Sequence, residues 1–134
     1  MSRREAREHA FLLLYQMEIR KSALEEQREI FLSEFPLDEP DKVFFDRVVS
    51  GINSDSATLD AVIAPLLKGW KIERLPKVDI VILRIAAYEI MRCPDVPLNV
   101  SISEAVILAK KYSTEESKSY INALLGRLEP GTKE

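Results

Sequence analysis

The sequence predicts an all-α protein, a single compact domain of about seven helices over residues 1–134. Apolar residues recur at steps of three and four through most of the chain, which is the period of a helix with one buried face. Only four glycines occur, and Leu, Ile, Ala, Glu, Lys and Arg dominate, a composition that favours helices. Prolines and short Ser/Thr/Asp groups stand between the periodic stretches, where helices start and stop.

The first helix is expected from about Arg3 to Arg20, with Ala6, Ala10, Leu13, Leu14 and Met17 on one stripe. At about 100° per residue, Arg3, Arg4, Arg7, Phe11 and Tyr15 share the adjoining sector. Ser22 opens a second helix through Leu24, Ile30, Phe31 and Phe35, ending before Pro36. Pro40 and Asp41 open a third, carrying Val43, Phe44, Val48 and Ile52. Ser54 to Ser56 read as a break, with Asp55 or Ser56 capping a fourth helix. That helix runs through Leu59, Val62, Ile63, Leu66 and Leu67 to near Gly69, and Pro65 should kink it or end it early.

Pro76 falls in the first turn of a fifth helix, Lys77 to about Arg92, apolar nearly all round and so central. A strand over Val78–Leu83 fits the β-branching, but continuation through Ala86, Ala87, Tyr88 and Glu89 favours helix. Asp95–Asn99, with Pro94 and Pro97, reads as a rigid extended connection. Ser101-Ile-Ser-Glu104 reads as a capping box opening a sixth helix to about Tyr112. Ser113-Thr-Glu-Glu116 reads as a second box, opening a seventh helix through Tyr120, Ile121, Leu124 and Leu125. A frayed tail is expected from Pro130.

Composition excludes several classes. The longest nearly apolar stretch, Val78–Ala87, is broken by Asp79 and Arg84 and falls short of the roughly 20 residues of a membrane span. Glu5, Glu8 and His9 interrupt what a secretion signal would need as an apolar segment. One cysteine, Cys93, can form neither an intrachain disulfide nor a zinc motif, which fits a reducing cytoplasm. No glycine-rich phosphate loop exists, and His9 is the only histidine, so nucleophilic triads lack a base. Glu115 and Glu116 sit at a helix start, where the helix dipole explains them. The expectation is therefore a non-enzyme with no cofactor and no metal.

Net charge is −3, but it is unevenly spread. Residues 25–46 are acidic, with Glu25, Glu26, Glu29, Glu34, Asp38, Glu39, Asp41 and Asp46 against Arg28 and Lys42. Arg3, Arg4 and Arg7 make a basic end. Guanidinium groups match phosphate oxygens bidentately and stack on bases, and Phe11 and Tyr15 beside them offer stacking surface for single-stranded RNA. The alternative is a solvated helix end with Phe11 in the core. A second candidate is the junction from Lys110 and Lys111 to Lys118, where a helix N-terminus can meet a phosphate; the alternative is lysines complementing a helix C-terminus. The third is Asp79 with Arg84 and Glu89 on an apolar helix, read either as an internal salt bridge or as an edge meeting a protein partner.

Taken in order and spacing, the residues resemble the NusB family along nearly the whole chain. Arg3-Arg4-x-Ala6-Arg7 followed by Leu14-Tyr15-Gln16 looks like its arginine-rich first helix. The most specific stretch is Leu75-Pro76-x-Val78-Asp79, then Ile82-Leu83-Arg84-Ile85-Ala86 and Tyr88-Glu89. Asp95-Val96-Pro97, Ser103-Glu104-Ala105-Val106, Leu108-Ala109-Lys110 and Tyr120-Ile121-Asn122 follow. Ser103 stands where the family commonly has Asn, and Ala123 where it commonly has Gly; both replacements are small.

The resemblance implies seven helices in two helical sub-bundles, and a transcription antitermination factor of ribosomal RNA operons. It implies binding of boxA-type single-stranded RNA together with NusE, a small-subunit ribosomal protein, and loading onto the RNA polymerase antitermination complex. By position it implies RNA contacts from Arg3, Arg4 and Arg7, with help from the stretch that holds Lys110, Lys111, Lys118 and Tyr120. Tyr15, Asp79 and Glu116 fall on the NusE side, Tyr15 serving both surfaces. Two alternatives stay open. One is a protein-binding helical module or homodimer without an RNA role. The other is an accessory RNA-binding domain of the kind fused to ribosomal RNA cytosine methyltransferases, against which stands the chain's end near Glu134.

Overall fold

The computed structural model describes residues 3–69 and 71–128. The tail from Pro130 lies outside them. The described residues form six α-helices and no strand: α1 (Arg3–Arg20), α2 (Leu24–Glu34), α3 (Glu39–Ile63), α4 (Lys77–Arg92), α5 (Leu98–Tyr112) and α6 (Glu115–Gly126). Short 3-10 turns cover Ala64–Leu66 and Ile72–Arg74. The chain falls into two compact units, Met1–Ser54 and Asp55–Glu134, the division lying within α3.

In the first unit α1 packs on α2. Ala6, Ala10, Leu13 and Leu14 are buried as the stripe predicts, and Phe11 is buried with them. Phe31 stacks on Phe45 at 6.0 Å between centroids, and His9 meets the rings of Phe31 and Phe35 at 5.9 Å each. Arg28 grips both oxygens of Asp46 at 2.7 Å, which ties α2 to α3. That carboxylate raises the Arg28 pKa further, with burial opposing it.

In the second unit α4 packs on both α5 and α6. Every residue from Asp79 to Met91 except Arg84 is buried, so the nearly all-round apolar helix is surrounded as expected. Arg84 reaches Asp60 of α3 through two bonds of 2.8 Å.

Several boundaries differ from the sequence reading, while the early stop at Pro65 agrees with it. Helices three and four are one helix: the Ser54 hydroxyl donates back to the Ser50 carbonyl at 3.0 Å, and Asp55 reaches Arg92 of α4 at 3.4 Å instead of capping a new helix. The buried face continues across this stretch through Val48, Ile52, Leu59 and Ile63. Pro65 ends this helix early, in the 3-10 turn that follows Ile63. Ser22 caps nothing, since α2 starts from Ala23 without a side-chain cap.

α5 starts at Leu98, so the extended connection is shorter than expected and Ser101 lies inside the helix. The Ser101 hydroxyl donates to Glu89 at 3.0 Å, because a buried carboxylate outbids a local cap for the donor. Pro97, with φ −59°, takes the cap position instead. In the second box the cap is Thr114, one residue later, whose hydroxyl accepts from the Ser117 N–H at 3.0 Å. Pro76 is the N-cap of α4, one position earlier than expected.

Candidate functional site

The head of α1 carries the basic group. Arg3 and Arg4 are exposed, whereas Arg7 is only 4% exposed. The Arg3 and Arg7 guanidiniums lie 4.7 Å and 5.2 Å from the centroid of the Phe44 ring. Two cations one helical turn apart thus share one aromatic ring of α3, each attracted by the ring quadrupole. Burial takes Arg7 out of the row of surface arginines that the sequence pattern draws. Phe44 gave no sign of this role in the sequence, because it reads simply as a core position of its helix.

Phe11 stacks on Tyr15 at 5.9 Å with 13° between planes. Phe11 is 1% exposed and offers no face to a ligand; Tyr15 is half-buried. Tyr15 lines a groove of about 400 Å³ with Leu12, Gln16, Ile19, Arg20, Phe31 and Phe35. Ile19 and Phe35 are large apolar residues exposed at this groove, and Ile30 and Val43 are exposed elsewhere in the same unit. Nothing in the sequence pattern separates these four from core residues.

In the second unit Lys110 and Lys111 are exposed in the last turn of α5, where they complement its C-terminal dipole. The Lys111 ammonium stands 5.5 Å from the Tyr112 ring. Lys118 pairs with Glu115 at 3.1 Å. The start of α6 is a poor phosphate cradle: the Ser117 N–H is already bonded to Thr114, and Glu115 and Glu116 adjoin it. The phosphate-capture reading, one of the two the sequence leaves open, thus has one free donor fewer and two like charges against it.

Asp79, Arg84 and Glu89 each reach a partner outside the trio. Arg84 holds Asp60, and Glu89 accepts from Ser101. Asp79, 2% exposed, accepts from Ser113 Oγ at 2.7 Å and from Ser117 Oγ at 2.6 Å. It lines a cleft of about 320 Å³ with Leu75, Pro76, Thr114, Glu116, Ser117 and Tyr120. The structure thus brings Asp79, Glu116 and Tyr120 to one place. Burial raises the Tyr120 phenol pKa, the Asp79 charge adds to that, and Arg127 opposes it. The Tyr120 hydroxyl is buried and finds no hydrogen-bond partner among the described residues.

Among the described residues no group of three His, Cys, Asp or Glu could hold a metal ion, and Cys93 is buried. No helix among them is long and apolar enough to cross a membrane.

The sequence profile of the NusB family matches residues 4–130. A transcription antitermination protein NusB of Acetivibrio thermocellus is 45% identical over 128 residues, covering 96% of this chain and 88% of its own. A crystallised T. maritima NusB superposes with a TM-score of 0.89 at 36% identity, over 100% of this chain and 92% of that one. A structure of the antitermination factors NusB and NusE in complex with dsRNA shares the fold at 24% identity, with a TM-score of 0.86 and 94% of each chain covered.

Proposed function

The chain belongs to the NusB family, and on that premise we propose that it is a non-enzymatic, cytoplasmic antitermination adaptor. It binds boxA-type RNA of nascent ribosomal RNA transcripts together with NusE, and the pair joins the RNA polymerase antitermination complex. The whole chain, residues 1–134, serves as one RNA-binding helical domain.

The observation that carries the RNA surface is the basic head of α1 on an acidic chain. Arg3 and Arg4 are exposed there, and Arg3 is held over Phe44 beside the buried Arg7. Such a surface contacts phosphates and exposed bases at once. Arg7 acts from beneath by fixing the helix end, and Lys110, Lys111, Lys118 and Tyr120 are the RNA contacts proposed on the second unit. Tyr15, Asp79 and Glu116 serve NusE. Holding two ligands on one scaffold raises the effective concentration of each for the other.

Fluorescence anisotropy of labelled boxA RNA and a scrambled control, with and without NusE, tests the reading. A boxA preference that strengthens with NusE is expected. Replacing Arg3 and Arg4 by Ala should reduce the salt slope by about 0.7 per lost phosphate contact. Equal, weak binding of both RNAs in both conditions would refute the adaptor. The exposed Ile19, Ile30, Phe35 and Val43 favour a second reading, a homodimer or protein-only module, which light scattering distinguishes.

A further inference from the structure

Phe44 and Phe45 stand side by side near the start of α3 and do different things. Phe45 is fully enclosed and stacks on Phe31 of α2 at 6.0 Å. Phe44 is 3% exposed, and its ring meets charges instead, with Arg3 at 4.7 Å and Arg7 at 5.2 Å from the centroid. For burial alone an aliphatic residue would serve at position 44. Only an aromatic ring also attracts cations, through its quadrupole.

That attraction matters most at Arg3. It is the first residue of α1, in the turn whose N–H groups lack helical partners and where helix ends fray. Arg3 and Arg7 are one turn apart, so their like charges repel along the helix. A long arginine side chain also samples many rotamers, and immobilising it on a ligand lowers affinity. The Phe44 ring, fixed in α3, opposes all three effects before RNA arrives. Arg3 stays exposed while it touches the ring, so the contact holds the guanidinium without withdrawing it from solvent. Phe44 itself is enclosed and offers no face to a base. Its route to RNA therefore runs through Arg3.

We propose that Phe44 is a positioning residue of the RNA surface, holding the Arg3 guanidinium ready for a backbone phosphate without touching RNA itself. The inference rests on the adaptor reading, which places RNA at the head of α1.

Fluorescence anisotropy of boxA RNA with the wild-type chain, Phe44→Leu, Arg3→Ala and the double variant tests it, with circular dichroism of each protein to verify folding. Phe44→Leu should weaken RNA binding by about two- to tenfold. The double variant should bind as Arg3→Ala does, because without Arg3 the ring has nothing to position. Arg4 stands about 100° around the helix from Arg3, so the effects of Arg4→Ala and Phe44→Leu should simply multiply. Phe44→Tyr keeps the ring and should bind as the wild type does. A merely structural Phe44 would lower affinity equally with and without Arg3, and that result overturns the proposal. So does a folded Phe44→Leu protein that binds RNA as well as the wild type or better. A second measurement needs no variant: in the nuclear magnetic resonance spectrum of the free wild-type chain, the ring current should move the Arg3 side-chain protons upfield. Arg3 shifts equal to those of an unfolded chain overturn the proposal. Unchanged affinity in Arg3→Ala beside a loss in Arg4→Ala also overturns it, and leaves the adaptor standing. Failure of the wild-type chain to bind boxA RNA with or without NusE overturns both.

Discussion

Replacing Arg7 by Ala should damage the fold before it damages RNA binding. The side chain is 4% exposed, and its guanidinium sits 5.2 Å from the Phe44 centroid. A desolvated cation–π contact contributes about 2 kcal/mol. Burial of the aliphatic stem adds about 0.8 kcal/mol per methylene. Relaxation of Phe44 and of the α1 end recovers part of this sum, so the expected loss is about 3 kcal/mol. For a chain of this size each kcal/mol moves the melting temperature by about 3–4 °C, giving a fall of about 10 °C. Arg3 sits over the same ring but is exposed, so Arg3→Ala should cost only about 0.5–1 kcal/mol. Thermal unfolding followed by circular dichroism measures both, and RNA anisotropy below the transition measures function separately. Near-native melting of Arg7→Ala with a large loss of RNA affinity would refute the argument, and would return Arg7 to the row of RNA-contacting arginines.

Two further perturbations test the second unit. Tyr120 should make stability pH-dependent in the alkaline range. Its folded pKa is raised by burial, so its contribution is complete below the ordinary tyrosine value of 10.0 and is lost as pH rises through the folded value. Tyr120→Phe should flatten that decline, and should stabilise the isolated chain near neutrality by up to about 1 kcal/mol by removing an unpartnered hydroxyl; denaturant titrations across pH read both effects. Asp60→Asn should cost about 1–2 kcal/mol, since it weakens the two-pronged bond from Arg84 where both side chains are less than a third exposed. An unchanged denaturation midpoint would mean the pair is solvated in solution.

The helical class, the limits of α1 and α4, and the early stop at Pro65 were legible in the sequence because their causes are local. Apolar spacing fixes a helical face, and proline removes a donor, whatever the rest of the chain does. The family was legible for a related reason: the order of short pieces from Leu75 to Asn122 is itself a sequence property. The remaining features depend on partners far along the chain. Ser101 leaves its expected cap because Glu89, twelve residues earlier, is buried and needs a donor. Ser113 leaves its own because Asp79, thirty-four residues earlier, does too. Arg7 counts as a surface charge until Phe44 closes over it. Local patterning decides where a polar residue can stand, but burial decides which donor must answer which acceptor. Only the tertiary structure determines burial.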